Sequence, residues 1–265
     1  MPNAKDAKGT NRHLFLILGS TGSGKTSQFL TLPGKKFAYL FDPNAMLSLH
    51  GHDVDYEEFY PEKISMDVHS LAKDGKGSNV TGKSTSEVYK RWEQDAEAKI
   101  KSGFFNNYDW IAIDSATTLL DIIMDMILNL NGRPGSWPHQ DDYGPQMMTF
   151  TSIIRTFAGL GRGLYVTGHL SLEKDELSQS IYRMPIMTGK LKDKIPLIFS
   201  DIFATDSHND GKGKITYSIQ TVSDRRTPTI RCSIKGLNPS EDVTIDWKKP
   251  LSGQGLGRIL SRSVL

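Results

Sequence analysis

Residues 14–18 (LFLIL) form an unbroken apolar run that ends at Gly19. From there the chain reads Gly19-Ser20-Thr21-Gly22-Ser23-Gly24-Lys25-Thr26, an instance of G-x-x-x-x-G-K-[ST]. No other feature constrains the fold as strongly. A short continuous apolar run reads as a strand buried on both faces, as in a parallel sheet. Glycines after such a strand let the backbone wrap a polyphosphate with its N–H groups pointing inward. The lysine then reaches the outer phosphates, the threonine hydroxyl holds Mg²⁺, and the positive end of the following helix favours the anion. The expected phosphate-binding residues are Gly19, Thr21, Gly22, Ser23, Gly24, Lys25, Thr26 and Ser27. The helix is expected from Lys25 to about Leu30, stopped by Pro33-Gly34.

A second stretch, Gly77-Ser78-Asn79-Val80-Thr81-Gly82-Lys83-Ser84, satisfies the same pattern, but only polar residues, 72–76 (AKDGK), lead into it. Without a sheet edge behind it, such a loop cannot hold its amides in a fixed nest. Residues 72–87 are therefore expected as an exposed loop, followed by a polar helix over about 87–101.

Further apolar strands are expected at 36–42 (KFAYLFD), 109–114 (DWIAID) and 163–169 (GLYVTGH). Between them, Leu119, Ile122, Ile123, Met126, Ile127 and Leu130 repeat at helical spacing, and a second helix is expected over 146–158. Residues 131–145 break regularity with prolines and glycines, and 170–185 read as a charged loop. Strands are then expected at 197–205, 214–222, 228–235 and 242–247. Strands alternating with helices, then a strand-rich end, predict an α/β fold: a mostly parallel sheet flanked by helices, with an antiparallel C-terminal extension.

A flexible leader (1–13) and a basic tail (248–265) would flank one domain at 14–247. With 37% hydrophobic residues the chain is not disordered, and no apolar run approaches the roughly 18–20 residues of a membrane helix. The single cysteine, Cys232, excludes an internal disulfide framework and points to a reducing, cytoplasmic setting. A net charge of +2 allows nucleic acid as a partner without arguing for it. His50, His52 and His69 read as solvated loop residues, with no frame to make them metal ligands. Asp114, closing a predicted strand, is placed to support the Mg²⁺ beside Thr26; alternatively it caps the helix that follows.

The order of these segments resembles the RecA-like P-loop NTPase core. YDWIAIDSATTLL, DDYGPQ, LYVTGHL and MTGKLKDKIPLIFSDIFAT narrow the resemblance to phage-type, single-domain RecA-like ATPases of single-strand annealing and recombination. The resemblance implies ATP and Mg²⁺ as cofactors, single-stranded DNA as partner, a ring or filament of like subunits, and no membrane. If the chain is phage-encoded, the setting is the host cytoplasm. It implies roles for Lys25 and Asp114 at the phosphates and metal, and for His169, ending the TGH strand, as a γ-phosphate sensor. Such cores usually carry a glutamate two residues after the Asp that ends their second strand. Here Asp42 is followed by Pro43 and Asn44, and an amide can orient water but cannot take its proton. Slow hydrolysis follows, unless Asp42, Glu57 or Glu58 serves instead. Arg133, Trp137 and His139 in one loop, and Lys174, Arg183 and Lys190 in another, are candidates for DNA contact. Arg225 and Arg226 would act in trans at a neighbour's phosphates, or are solvated hairpin charges. The tail would attract nucleic acid, or dock another subunit or a single-strand-binding protein. A DNA motor and a nucleotide-dependent regulator are the competing functions.

Overall fold

A computed structural model describes residues 12–60, 80–174, 179–187 and 191–262, with side chains omitted for 80–85. Its first half runs β1 (Leu14–Gly19), α1 (Lys25–Leu30), β2 (Lys36–Leu40), β3 (Asp55–Glu58), α2 (Val80–Lys101), β4 (Trp110–Asp114) and α3 (Ala116–Leu130). The second half runs α4 (Tyr143–Gly159), β5 (Gly163–Gly168), β6 (Leu170–Lys174), β7 (Ile181–Pro185), α5 (Leu191–Lys194), β8 (Asp201–Asn209), β9 (Ile215–Gln220), β10 (Ser240–Asp242) and α6 (Gly255–Ser261).

β1 is unbroken in its apolarity because it lies inside an eight-stranded sheet of order β10-β9-β8-β1-β5-β4-β2-β3. It pairs in parallel with β5 on one side and β8 on the other. Alternate side chains enter opposite layers. Leu16 and Leu18 join the core under α2, α3 and α4, while Phe15 and Ile17 join a second core with α1 and α6. β9 and β10 add antiparallel strands beyond β8, so the fold is the predicted one: a mostly parallel, RecA-like P-loop sheet with an antiparallel C-terminal edge.

Several boundaries differ from expectation, each for a local reason. The predicted loop over 72–87 is helical from Val80 onward as part of α2, and 72–79 lie outside the described residues. The second half of the 77–84 match is therefore helix rather than loop. Helix α4 begins at Tyr143, ahead of the expected 146, because Asp142 organises its entry: the carboxylate accepts the His139 N–H at 2.7 Å, the Asn131 amide at 2.9 Å and Arg133 Nη2 at 2.7 Å. Leu130, expected on the apolar face of α3, is 71% exposed.

The charged loop expected at 170–185 is instead a hairpin, β6 against β7, forming its own two-stranded sheet. Leu172 within it is 74% exposed, while Met184 is buried and Leu170 packs on the main core. The strand expected from 197 begins only at Asp201, after a 3₁₀ turn carrying Pro196 in its first turn. Residues 228–235 make one bridge, Ile202 to Arg231, rather than a strand. Pro228 lacks a donor, Ser233 N–H goes to the Asp201 carboxylate at 2.5 Å, and Ile234 N–H to Cys232 Sγ at 3.3 Å. β10 stops at Asp242, short of the expected 242–247, where Tyr217 N–H turns to the Thr244 hydroxyl at 2.8 Å.

Both flanks belong to the packed unit further than the sequence suggested. His13, assigned to the leader, donates or accepts at 2.8 Å with the fully buried Asp201. Within the supposed tail, α6 buries Leu256, Ile259 and Leu260 against the α1 layer. Its Gly257 lies so close that a Cβ there would stand 2.0 Å from the Thr31 carbonyl oxygen.

Candidate nucleotide-binding site

The loop between β1 and α1 is fixed by its neighbours. A Cβ on Gly19 would stand 2.1 Å from Thr205 Oγ1 on β8, so only glycine fits. Gly22 and Gly24 hold φ of +76° and +85°, the left-handed region that glycine adopts without strain. Ser23 Oγ donates to the Ser20 carbonyl at 2.7 Å and shares a 2.6 Å bond with Thr205. These ties hold the loop as a preformed cup, while Thr21 and Gly22 at its lip stay exposed.

Lys25 and Thr26 open α1. The Lys25 ammonium donates to the carbonyls of Gly19 and Ser20 at 3.0 and 2.9 Å, and burial lowers its pKa while Asp114 and Asp42 pull the other way. Thr26 Oγ1 donates to Asp114 Oδ2 at 2.7 Å, bringing the α1 hydroxyl and the β4 carboxylate together. Asp114 is buried; its other oxygen accepts from Thr167 at the end of β5. Burial raises the Asp114 pKa, the bonds from Thr167 and Thr26 lower it, and Asp42 raises it further. Asp114 does not cap α3: Ser115 does, accepting the Thr118 N–H at 3.4 Å.

Around this centre stand two further groups. Asp42 lies just past β2, next to Asp114, where the Phe41 N–H donates to the Asp114 carbonyl at 2.7 Å. His169, just past β5, contacts Thr117 Oγ1 at 3.3 Å through Nδ1; burial and then the Lys25 charge lower its pKa, which favours the neutral ring. Asn44 stands exposed at the start of a 3₁₀ turn and makes no side-chain cap bond there.

Beside the loop a cavity of about 190 Å³ runs between Gly24, Thr26 and Ser48 to Tyr217, Ile245 and Trp247. The Trp247 ring lies 5.7 Å from that of His52, and Tyr217 packs so close to Gly24 that a Cβ there would stand 3.1 Å from its ring. Sequence reasoning missed Tyr217, Trp247 and Thr167. The first two come from the strand-rich end, where no motif linked them to a loop some 200 residues away. Thr167 was visible as the T of TGH, two residues before His169, which was weighed.

The remaining candidates lie apart from the centre. Arg133 is an anchor of its loop, with Nη2 2.7 Å from both oxygens of Asp142, whereas Trp137 is 86% exposed and His139 is exposed. Lys174 is exposed on β6, and Arg183 on β7 grips Asp206 through two bonds of 2.9 and 3.0 Å. Lys190 and His69 lie outside the described residues. Arg225 and Arg226 are exposed in the turn ahead of Thr227. Among the described residues no helix is long and apolar enough to cross a membrane.

No curated protein matches the sequence. Among solved structures, the flagellar accessory protein FlaH of Methanocaldococcus jannaschii is similar at 13% identity over 88% of this chain and 85% of that one, with a TM-score of 0.37. A KaiC-like protein of the hyperthermophilic archaeon Pyrococcus horikoshii OT3 is similar at 12% identity over 88% and 86%, with a TM-score of 0.41. The family model AAA_24, described as an AAA domain, matches residues 12–229, from the lead-in to β1 to well past β9. That span takes in the loop, Asp114 and the whole parallel sheet, and the chain therefore belongs to the AAA_24 family of AAA domains.

Proposed function

We propose that this ATPase binds ATP with Mg²⁺ in the β1–α1 cup and acts on single-stranded DNA as a homo-oligomer, promoting annealing or strand exchange with slow hydrolysis. The observation that carries the nucleotide part is the 2.7 Å bond from Thr26 to Asp114 beside the buried Lys25. A hydroxyl and a carboxylate are hard oxygen donors, and two of them leave room for phosphate oxygens and water in an octahedral Mg²⁺ shell. Bound there, the ion would neutralise charge on the outer phosphates. The protein's own part is positional. Lys25 exchanges its carbonyl partners for phosphate oxygens, the loop amides cradle the chain of phosphates, and the cavity at Tyr217 and Trp247 receives the base.

Support for DNA comes from Trp137, an exposed indole on a Pro/Gly-rich loop joining α3 to α4. Unpaired bases stack on such rings at about 1–3 kcal/mol each. His169 at the phosphates leads directly into the β6–β7 hairpin bearing Lys174, so a nucleotide-dependent shift of His169 would be passed to that hairpin. Arg225 and Arg226 are exposed and accessible to a neighbouring subunit.

The test is fluorescence anisotropy with labelled single-stranded and duplex DNA, with and without ATP, at two salt concentrations. Nucleotide-dependent preference for the single strand, weakening with salt, is the expected result. Absence of binding at low salt would overturn the DNA assignment in favour of a nucleotide-dependent regulator. One observation already points that way: Arg133 and Arg183, two of the candidate DNA cations, are committed to Asp142 and Asp206.

A further inference from the structure

We infer that Asp42, in place of the glutamate such cores usually carry two residues later, is the carboxylate that orients the attacking water. This rests on the nucleotide reading above. The sequence left Asn44, Asp42, Glu57 and Glu58 in contention, and the structure separates them. Asp42 follows β2 beside the end of β4, which places it at the same sheet edge as Asp114 and the loop. Its charge is felt at Lys25, at Asp114 and at His169, the three groups that surround the expected phosphate position. Asp114 and Asp42 are the two carboxylates that act on Lys25. Glu57 is committed elsewhere, 2.7 Å from the Lys99 ammonium of α2. Glu58 ends β3, one strand further out, and Asn44 carries an exposed amide.

Asp42 is also held in one orientation. Its Oδ1 accepts the hydroxyl of Ser115, which caps α3, at 3.2 Å, and the hydroxyl of Thr118 in the first turn of that helix. With Oδ1 occupied by these two struts, Oδ2 is the oxygen left to accept a hydrogen bond from water. In the step it serves, the water oxygen forms a bond to the γ-phosphorus. The bond from that phosphorus to the β,γ-bridging oxygen breaks, its electron pair leaving on ADP, and the water proton is carried away on the released phosphate. Asp42 fixes the direction of attack; Asp114 is occupied by Thr26 and Thr167 and does not compete for the water.

The test uses the whole chain and the variant Asp42→Asn, which keeps an acceptor for Ser115 and Thr118 but loses the charge. Single-turnover hydrolysis of γ-labelled ATP should fall at least 30-fold. Equilibrium binding of a fluorescent ATP analogue should stay equal or tighten, because a negative charge facing the γ-phosphate has been removed. Glu57→Gln should hydrolyse at the parent rate. A strut role alone would weaken binding along with hydrolysis, and that joint loss overturns the proposal. So does a variant turning over at the parent rate, or a parent that releases no more phosphate than Lys25→Ala. A parent that binds no ATP analogue at all removes the nucleotide reading itself, and the inference with it.

Discussion

Gln28 is the point at which the far end of the chain takes hold of the phosphate loop, and its replacement by leucine should be costly. The residue lies on α1, three positions after Lys25, and is 2% exposed. Its Nε2 donates to the Val243 carbonyl at 2.8 Å, and its Oε1 accepts the Leu256 N–H, at the start of α6, at 2.9 Å. Leucine has nearly the same volume, so no cavity opens, but two backbone groups are left without partners in a dry interface. Each stranded group costs about 1–3 kcal/mol, so a total near 3 kcal/mol is expected. For a domain of this size that is a fall in Tm of roughly 6–12 °C. Because α1 carries Lys25 and Thr26, triphosphate affinity should weaken alongside. Thermal unfolding with and without tripolyphosphate measures both. A Gln28→Leu chain melting within 2 °C of the parent would show that the clamp contributes nothing and that α6 merely rests on α1.

Trp247→Ala should bring affinity for ATP down toward that for tripolyphosphate while leaving the latter unchanged; calorimetric titration of both ligands decides it, and equal ATP affinity in parent and variant removes Trp247 from the base cavity. Asp201 gives a pH signature. Burial pushes its pKa up, but bonds from His13, Ser200 and Ser233 outweigh that and hold it below the usual carboxylate range. A depressed folded pKa stabilises above the unfolded value near 3.9, and that stability is lost as pH falls through the folded value. The stability gap between the parent and Asp201→Asn, read from urea midpoints, should therefore shrink as pH falls below about 4; a gap unchanged between about pH 5 and pH 3 refutes it. Trp137→Ala should weaken single-strand binding several-fold with nucleotide affinity intact, and equal DNA affinity would take the indole out of the interface.

What could be read from the sequence was what depends on neighbours along the chain. LFLIL and WIAI, the run ahead of Asp114, are apolar at every position because both sheet faces are covered, and the glycine spacing after Gly19 announces the loop. What escaped depends on distant partners. Helix α2 was legible from about residue 87, but not its start at Val80 nor the burial of Val88 and Trp92 in the core shared with the α3 and α4 layers. Residues 228–235 alternate like a strand, yet the Asp201 carboxylate captures the Ser233 N–H that a ladder would need. The basic residues of the C-terminal segment drew attention away from Leu256, Ile259 and Leu260, a short apolar stripe that α1 buries. Asp42 was in view throughout, but its standing relative to Asn44 required knowing that Ser115 and Thr118 brace it.

The grip of α6 on α1 has a bearing on biosynthesis. The cup begins within the first 26 residues, yet Thr205 closes its back and Leu256 and Gly257 latch its helix through Gln28 and Thr31. A ribosome must therefore release the chain through Gly257 before the loop at Gly19–Thr26 acquires its final support. A nascent chain that stops short of α6 lacks the bonds from Leu256 and Gly257 that brace α1 in the folded protein.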